Sequence, residues 1–135
     1  MAFFEWKPLI SVGIETIDRQ HRVLIKYMNE FFESSMKDNV EAATGALNAL
    51  LHYTRLHFED EERMLAKNGY PEILPHKELH RDLLSQATRL AEGYAAHPSR
   101  SRANELASFL RSWLMKHILG NDKRYTDQMV ARGVK

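Results

Sequence analysis

The sequence predicts an all-α fold, an up-down-up-down four-helix bundle preceded by an extended N-terminal arm. Three observations carry that prediction. Four stretches place apolar residues in steps of three and four, the spacing of a helix with one buried face. Short connections bearing Asn39, Gly69, Pro71 and Ser99 separate them, which makes consecutive helices antiparallel neighbours. No competing stretch alternates apolar and polar residues as a half-buried strand would. A chain of 135 residues forms one domain, with 1–16 as the arm and 17–135 as the bundle.

Residues 1–16 contain Pro8, Gly13 and β-branched side chains without a helical period. They read as an arm whose Phe3, Phe4 and Trp6 pack onto the outside of the body. The first helix carries the stripe Ile17, His21, Leu24, Met28 and Phe31. Glu15 and Asp18 near its start suit the helix dipole. It ends around 37–39, where Asn39 is a good N-cap for the next helix.

The second helix runs from about Val40 to Lys67, with the stripe Val40, Ala43, Leu47, Leu50, Thr54, His57, Glu61 and Met64. Gly69 stops it and Pro71 prevents its continuation. The third covers roughly Glu72 to Ala96, with the stripe Ile73, His76, His80, Leu83, Ala87, Leu90 and Tyr94. Pro75 falls in its first turn, where a missing N–H costs little. After the turn at 97–99, with Ser99 as cap, the fourth begins near Arg100 and shows Ala103, Leu106, Leu110, Trp113 and His117. Then the period slips. Asp122 lies five residues after His117, about 140° away on an ideal helix. Gly120 and Asn121 sit between them, which predicts a local distortion or break. The stripe resumes as Asp122, Tyr125 and Met129.

Composition narrows the function. A net charge of +1 with no Lys/Arg cluster gives no footprint for nucleic acid. No apolar run of about 18 residues is present, so no membrane insertion is expected. Met1 to Lys7 does not read as a signal peptide. The absence of cysteine excludes disulfides and thiolate sites, and fits a cytoplasmic protein. Imidazoles and carboxylates are then the strong metal donors left, which suit Fe, Zn, Mn, Cu or Ni.

The polar residues on the core-facing seams are His21, His57, Glu61, His76, His80 and His117, joined by Asp122 if the distortion turns it inward. Every helix contributes. One buried histidine is ordinarily a core residue with a local partner. Five of them with a buried carboxylate would need as many separate partners, whereas a metal site satisfies all at once. Seven donors overfill one ion, so two ions are expected. If both carboxylates bridge, an ion with three histidines has five protein donors and an ion with two has four. A shared solvent oxygen leaves one position open, on the two-histidine ion, where a small ligand can bind.

Two known patterns fail. In His76-Lys77-Glu78-Leu79-His80 the glutamate stands in the wrong slot for a zinc protease, about 200° round from His76. The Glu-x-x-His pairs of carboxylate-rich di-iron bundles are missing altogether.

The imidazole-rich set resembles the hemerythrin family, specifically the bacterial hemerythrins. The matching pieces are Ile17-Asp18-Arg19-Gln20-His21, His57-Phe58-Glu59-Asp60-Glu61, His76-Lys77-Glu78-Leu79-His80, and Trp113-Leu114-Met115-Lys116-His117 with Asp122 beyond. They span nearly the whole chain, the arm with Trp6 included. The resemblance implies two iron ions, oxo- or hydroxo-bridged, that bind dioxygen reversibly. His76, His80 and His117 would hold the full iron, His21 and His57 the iron with the open position, and Glu61 and Asp122 would bridge. It also implies a dry O2 pocket of Leu24, Phe58, Trp113, Leu114 and Ile118. Tyr125, one turn after Asp122, is placed to hydrogen-bond a ligand residue.

His52 and His97 read as surface residues, and Glu59, Asp60 and Glu62 as a solvated face. The expected role is an O2 carrier, store or supplier to an oxygen-using enzyme, and not an enzyme itself. The alternatives are an O2- or redox-sensing domain of a signalling protein, or peroxidase, oxidase or nitric-oxide chemistry at the same irons.

Overall fold

A computed structural model describes residues 3–134, with the side chain of Asn121 left aside. Residues 1, 2 and 135, at the ends of the expected arm and bundle, lie outside the described residues. Four long helices form the body: α1 (Glu15–Met36), α2 (Val40–Lys67), α3 (Ile73–Ala96) and α4 (Arg100–Lys116). A π-helical turn (His117–Asp122) follows α4 and leads into the short α5 (Lys123–Ala131). Each long helix packs on two others, α1 on α2 and α4, and α3 on α2 and α4, which is the square of an up-down-up-down bundle. Among the described residues there is no strand, and no helix is long and apolar enough to cross a membrane.

Local chemistry sets the boundaries. α1 closes with the amides of Asp38 and Asn39 donating to the carbonyls of Ser35 and Ser34. Asp38 takes the left-handed conformation (φ 56°) that this closure needs. The Arg100 guanidinium grips both Asp38 oxygens, at 3.0 and 2.8 Å, and fastens this corner to the start of α4. Asn39 and Ser99 cap α2 and α4 by accepting from the amides of Ala42 and Arg102, each at 3.1 Å. Gly69 (φ 67°) closes α2 in the same way as Asp38 closes α1.

The arm does more than cover the outside. It is extended on either side of a 3-10 turn at Pro8–Ile10, and α1 begins at Glu15, inside the segment read as arm. Phe4, Ile10, Val12 and Ile14 are buried. Asn29 fixes the arm to α1 by exchanging two hydrogen bonds with the Phe4 backbone, at 2.7 and 2.8 Å. Arg22 lies over the Trp6 ring at 4.4 Å. Asp18, read as a dipole residue, is buried and accepts from Ser11 Oγ and Val12 N, so it also clamps the arm one turn before His21.

The predicted stripes face the core, with Met64, Ile73, Leu83 and Leu90 only half-buried against it and one residue exposed. Val40 is 41% exposed, because the first residue of α2 stands beyond the end of its neighbours. The seam effectively starts at Ala43.

Candidate metal centre

All seven predicted donors converge at the end of the bundle that holds the start of α1 and α3 and the end of α2 and the fourth helix. His21, Glu61 and Asp122 have no exposed surface, and His57, His76, His80 and His117 are buried. The π turn explains how Asp122 joins them. Its wider winding brings a residue five positions on back to the face of the first. His117 Nε2 therefore lies 3.1 Å from Asp122 Oδ1. The expected distortion is a bulge in a continuous helix, not a break.

The histidines form two groups around the carboxylates. His76, His80 and His117 gather on Glu61 Oε1: His76 in direct contact, His80 at 3.0 Å and His117 at 3.6 Å. On the other side, Glu61 Oε2 faces His57 at 3.5 Å. Asp122 divides its oxygens likewise, Oδ1 toward His117 and Oδ2 toward His21 at 3.0 Å. Each group has donor atoms within 4.8 Å of one another: Glu61 with His76, His80 and His117, and Glu61 and Asp122 with His21 and His57.

Several of these atoms are buried with no hydrogen-bond partner, among them Nε2 of His21, His57, His80 and His117 and both oxygens of Asp122. That many orphaned groups in one dry core is costly unless cations satisfy them. Electrostatics agree. Burial pushes His21 down to about 4 and His57 well below its usual range, so both imidazoles are neutral and offer lone pairs. Burial also raises Asp122 well above the usual carboxylate range, reinforced by the Glu61 charge beside it. Glu61, despite its burial, is held well below that range by the imidazoles of His117, His76 and His80 gathered around it. Two adjacent buried carboxylates ionise together only with positive charge between them. The donor set therefore fits metal binding at two adjacent positions that share Glu61.

Leu24, Phe58, Trp113, Leu114 and Ile118 are all buried. Phe58 stacks flat on His80 (3.8 Å, 2°) and Trp113 on His117 (5.7 Å, 13°), so these rings cover two of the three histidines in that group, and Phe58 also lies 5.8 Å from the His57 ring. Tyr125 is fully buried and donates its hydroxyl to Glu61 Oε2 at 3.2 Å. Burial, with Asp122 and Glu61 nearby, pushes that hydroxyl well above its usual range and keeps it a donor. His52 and His97 are exposed.

Two residues at the site escaped the sequence reading. Glu62 is not merely solvated: its Oε2 lies 2.9 Å from His80 Nδ1. Gln20 reaches His57 Nδ1 with Oε1 at 2.5 Å and donates its amide to Asp60 at 3.0 Å. Each stands next to a donor in sequence but serves a histidine on another helix. The available signal was a polar residue beside a ligand, able to reach a ring nitrogen across the interface.

Comparison with known proteins agrees with this geometry. The Hemerythrin HHE cation binding domain matches residues 12–128. A bacteriohemerythrin of Stenotrophomonas maltophilia is 30% identical over 97% of this chain and 84% of its own length. One from Clostridium acetobutylicum is 27% identical, covering 92% of this chain and 99% of its own. A crystal structure of wild-type hemerythrin superposes with a TM-score of 0.84 at 25% identity, over 95% of this chain and 98% of that one.

Proposed function

This chain belongs to the hemerythrin family, and we propose that it binds dioxygen reversibly at a non-heme di-iron centre, as a carrier, store or supplier of O2. The observation that carries the reading is the division of Glu61 and Asp122 between a three-histidine and a two-histidine group. Two bridging carboxylates give the first position five protein donors and the second four. When bound, ferrous iron supplies an open coordination position and the electrons that hold O2 there.

The residues of the chain supply the rest. His76, His80 and His117 would hold one ion, and His21 and His57 the other. Tyr125 fixes the Oε2 arm of Glu61 by its hydroxyl. Leu24, Leu114 and Ile118, without exposed surface, are the residues this reading assigns to the dry lining of the O2 position. Asp18, the remaining buried carboxyl among the described residues, is taken up by Ser11 and Val12. A spare acid or base for turnover is therefore not provided by it, which favours binding over catalysis. We place the activity in the cytoplasm, where reductants keep iron ferrous, with an oxygen-using enzyme as recipient.

The test is an optical spectrum of anaerobically reduced, iron-loaded protein exposed to O2 and then to vacuum. A band that appears with O2 and leaves under vacuum is expected. Prompt irreversible oxidation would favour sensing or peroxidase-type chemistry instead.

A further inference from the structure

The two histidine groups differ in what holds their outward nitrogens. His80 Nδ1 faces a carboxylate, Glu62 Oε2 at 2.9 Å. His57 Nδ1 faces a neutral amide, Gln20 Oε1 at 2.5 Å. Glu62 is 24% exposed and lines a groove of about 310 Å³ between α2 and α3, together with Arg55, Glu59, Lys77 and Arg81. Among the described residues its ionic contact is with His80 rather than any of those cations.

His80 cannot swing away from it. The Phe58 ring lies flat against the imidazole at 3.8 Å. In the tautomer that offers its Nε2 lone pair inward to a metal ion, on the side of Glu61 Oε1 at 3.0 Å, the Nδ1–H points outward to Glu62. A carboxylate accepting the Nδ1 proton pushes electron density onto the ring and makes Nε2 a stronger donor; an amide oxygen does so less.

We infer that Glu62 is a positioning residue that tunes the metal centre through His80, making an ion at the three-histidine position harder to reduce than one at the two-histidine position backed by Gln20. In that couple a ferric ion takes one electron from an external reductant such as dithionite and becomes ferrous, with no bond broken in the protein. The Glu62–His80 hydrogen bond stabilises the ferric side. This rests on the reading of His80 as a ligand.

The experiment is a mediated redox titration of the iron-loaded full chain, paired with ¹⁵N-histidine NMR of the zinc-loaded chain. Glu62→Gln should shift the equilibrium at least tenfold toward ferrous, about 59 mV upward for one electron. Gln20→Glu should shift it the other way. Glu59→Gln, which changes the charge of the same groove without touching a histidine, should leave it unchanged. In the zinc protein the His80 Nδ1 proton should show the far-downfield shift of a charge-assisted hydrogen bond, lost in Glu62→Gln. No shift in Glu62→Gln, or an equal one in Glu59→Gln, would overturn the inference. If Glu62→Gln fails to hold iron, Glu62→Asp and the wild-type NMR decide, and a wild-type His80 proton without the downfield shift overturns it. Wild-type chain that holds two irons but shows no Glu62 effect defeats this inference alone. Chain that holds no iron defeats the metal-centre reading beneath it.

Discussion

The two halves of the bundle use the same helices and the same three-four spacing to opposite ends. Near the 37–39 and 97–99 connections the seams carry Phe31, Ala43, Leu47, Leu50, Ala103 and Leu106, all at 2% exposure or less. Phe31 meets Tyr94 edge-on at 5.3 Å. This half is stabilised by apolar burial and asks nothing of a ligand. In the other half the same seams bury five imidazoles and two carboxylates, whose packing leaves polar atoms unsatisfied. One half holds the helices together; the other uses that rigidity to keep donors aimed at a shared point.

The contrast is broken most severely at Glu61, which belongs to both donor groups. Glu61→Ala should drop iron from two per chain to well below one, with helical content by circular dichroism retained. Two tightly held irons in that variant would remove the bridging role. The converse change is Leu50→Ala in the dry half. It should cost about 2–5 kcal/mol in denaturant unfolding of the metal-free chain, while reconstituted folded protein keeps its full iron complement. Lost iron there would mean that the halves are not separable.

Acid sharpens the comparison. His21 has a folded-state value of about 4 against an ordinary 6.5, so its contribution is complete above pH 6.5 and is lost as pH falls toward 4. That amounts to roughly 3 kcal/mol. Asp122 acts with the opposite sign, since its raised value favours folding when protonated. The clean measurement is therefore a difference. The stability of metal-free wild type minus that of metal-free His21→Gln should fall by roughly this amount between pH 6.5 and 4. A pH-independent difference would mean that His21 is not held neutral by burial. The smallest effect belongs to the far corner: Asn39→Ala should cost about 1 kcal/mol in urea unfolding through the lost cap and leave iron content unchanged.

What was legible in the sequence follows the range of the interaction. Asn39, Gly69 and Ser99 act on amides and carbonyls a few residues away, so the ends of the second and fourth helices could be read locally. The cluster of seven imidazole and carboxylate groups could be read because these residues interrupted apolar seams. The slip between His117 and Asp122 revealed that the helix must deform, but choosing a π turn over a break required the packing of α5. Val40 was misjudged because a periodic pattern does not show where a neighbouring helix ends. Glu62 and Gln20 were missed because they lie off the seams, and their value depends on how one helix is rotated against the next. Asp18 looked like a dipole residue because its partners sit in an arm without helical period.

The measurement that meets the central claim most directly combines iron quantitation with electron paramagnetic resonance on the oxidised protein. The account predicts two irons per chain and no ferric signal, because ions bridged by Glu61 and Asp122 couple magnetically. One iron per chain, or a strong signal from isolated ferric ions, would contradict it.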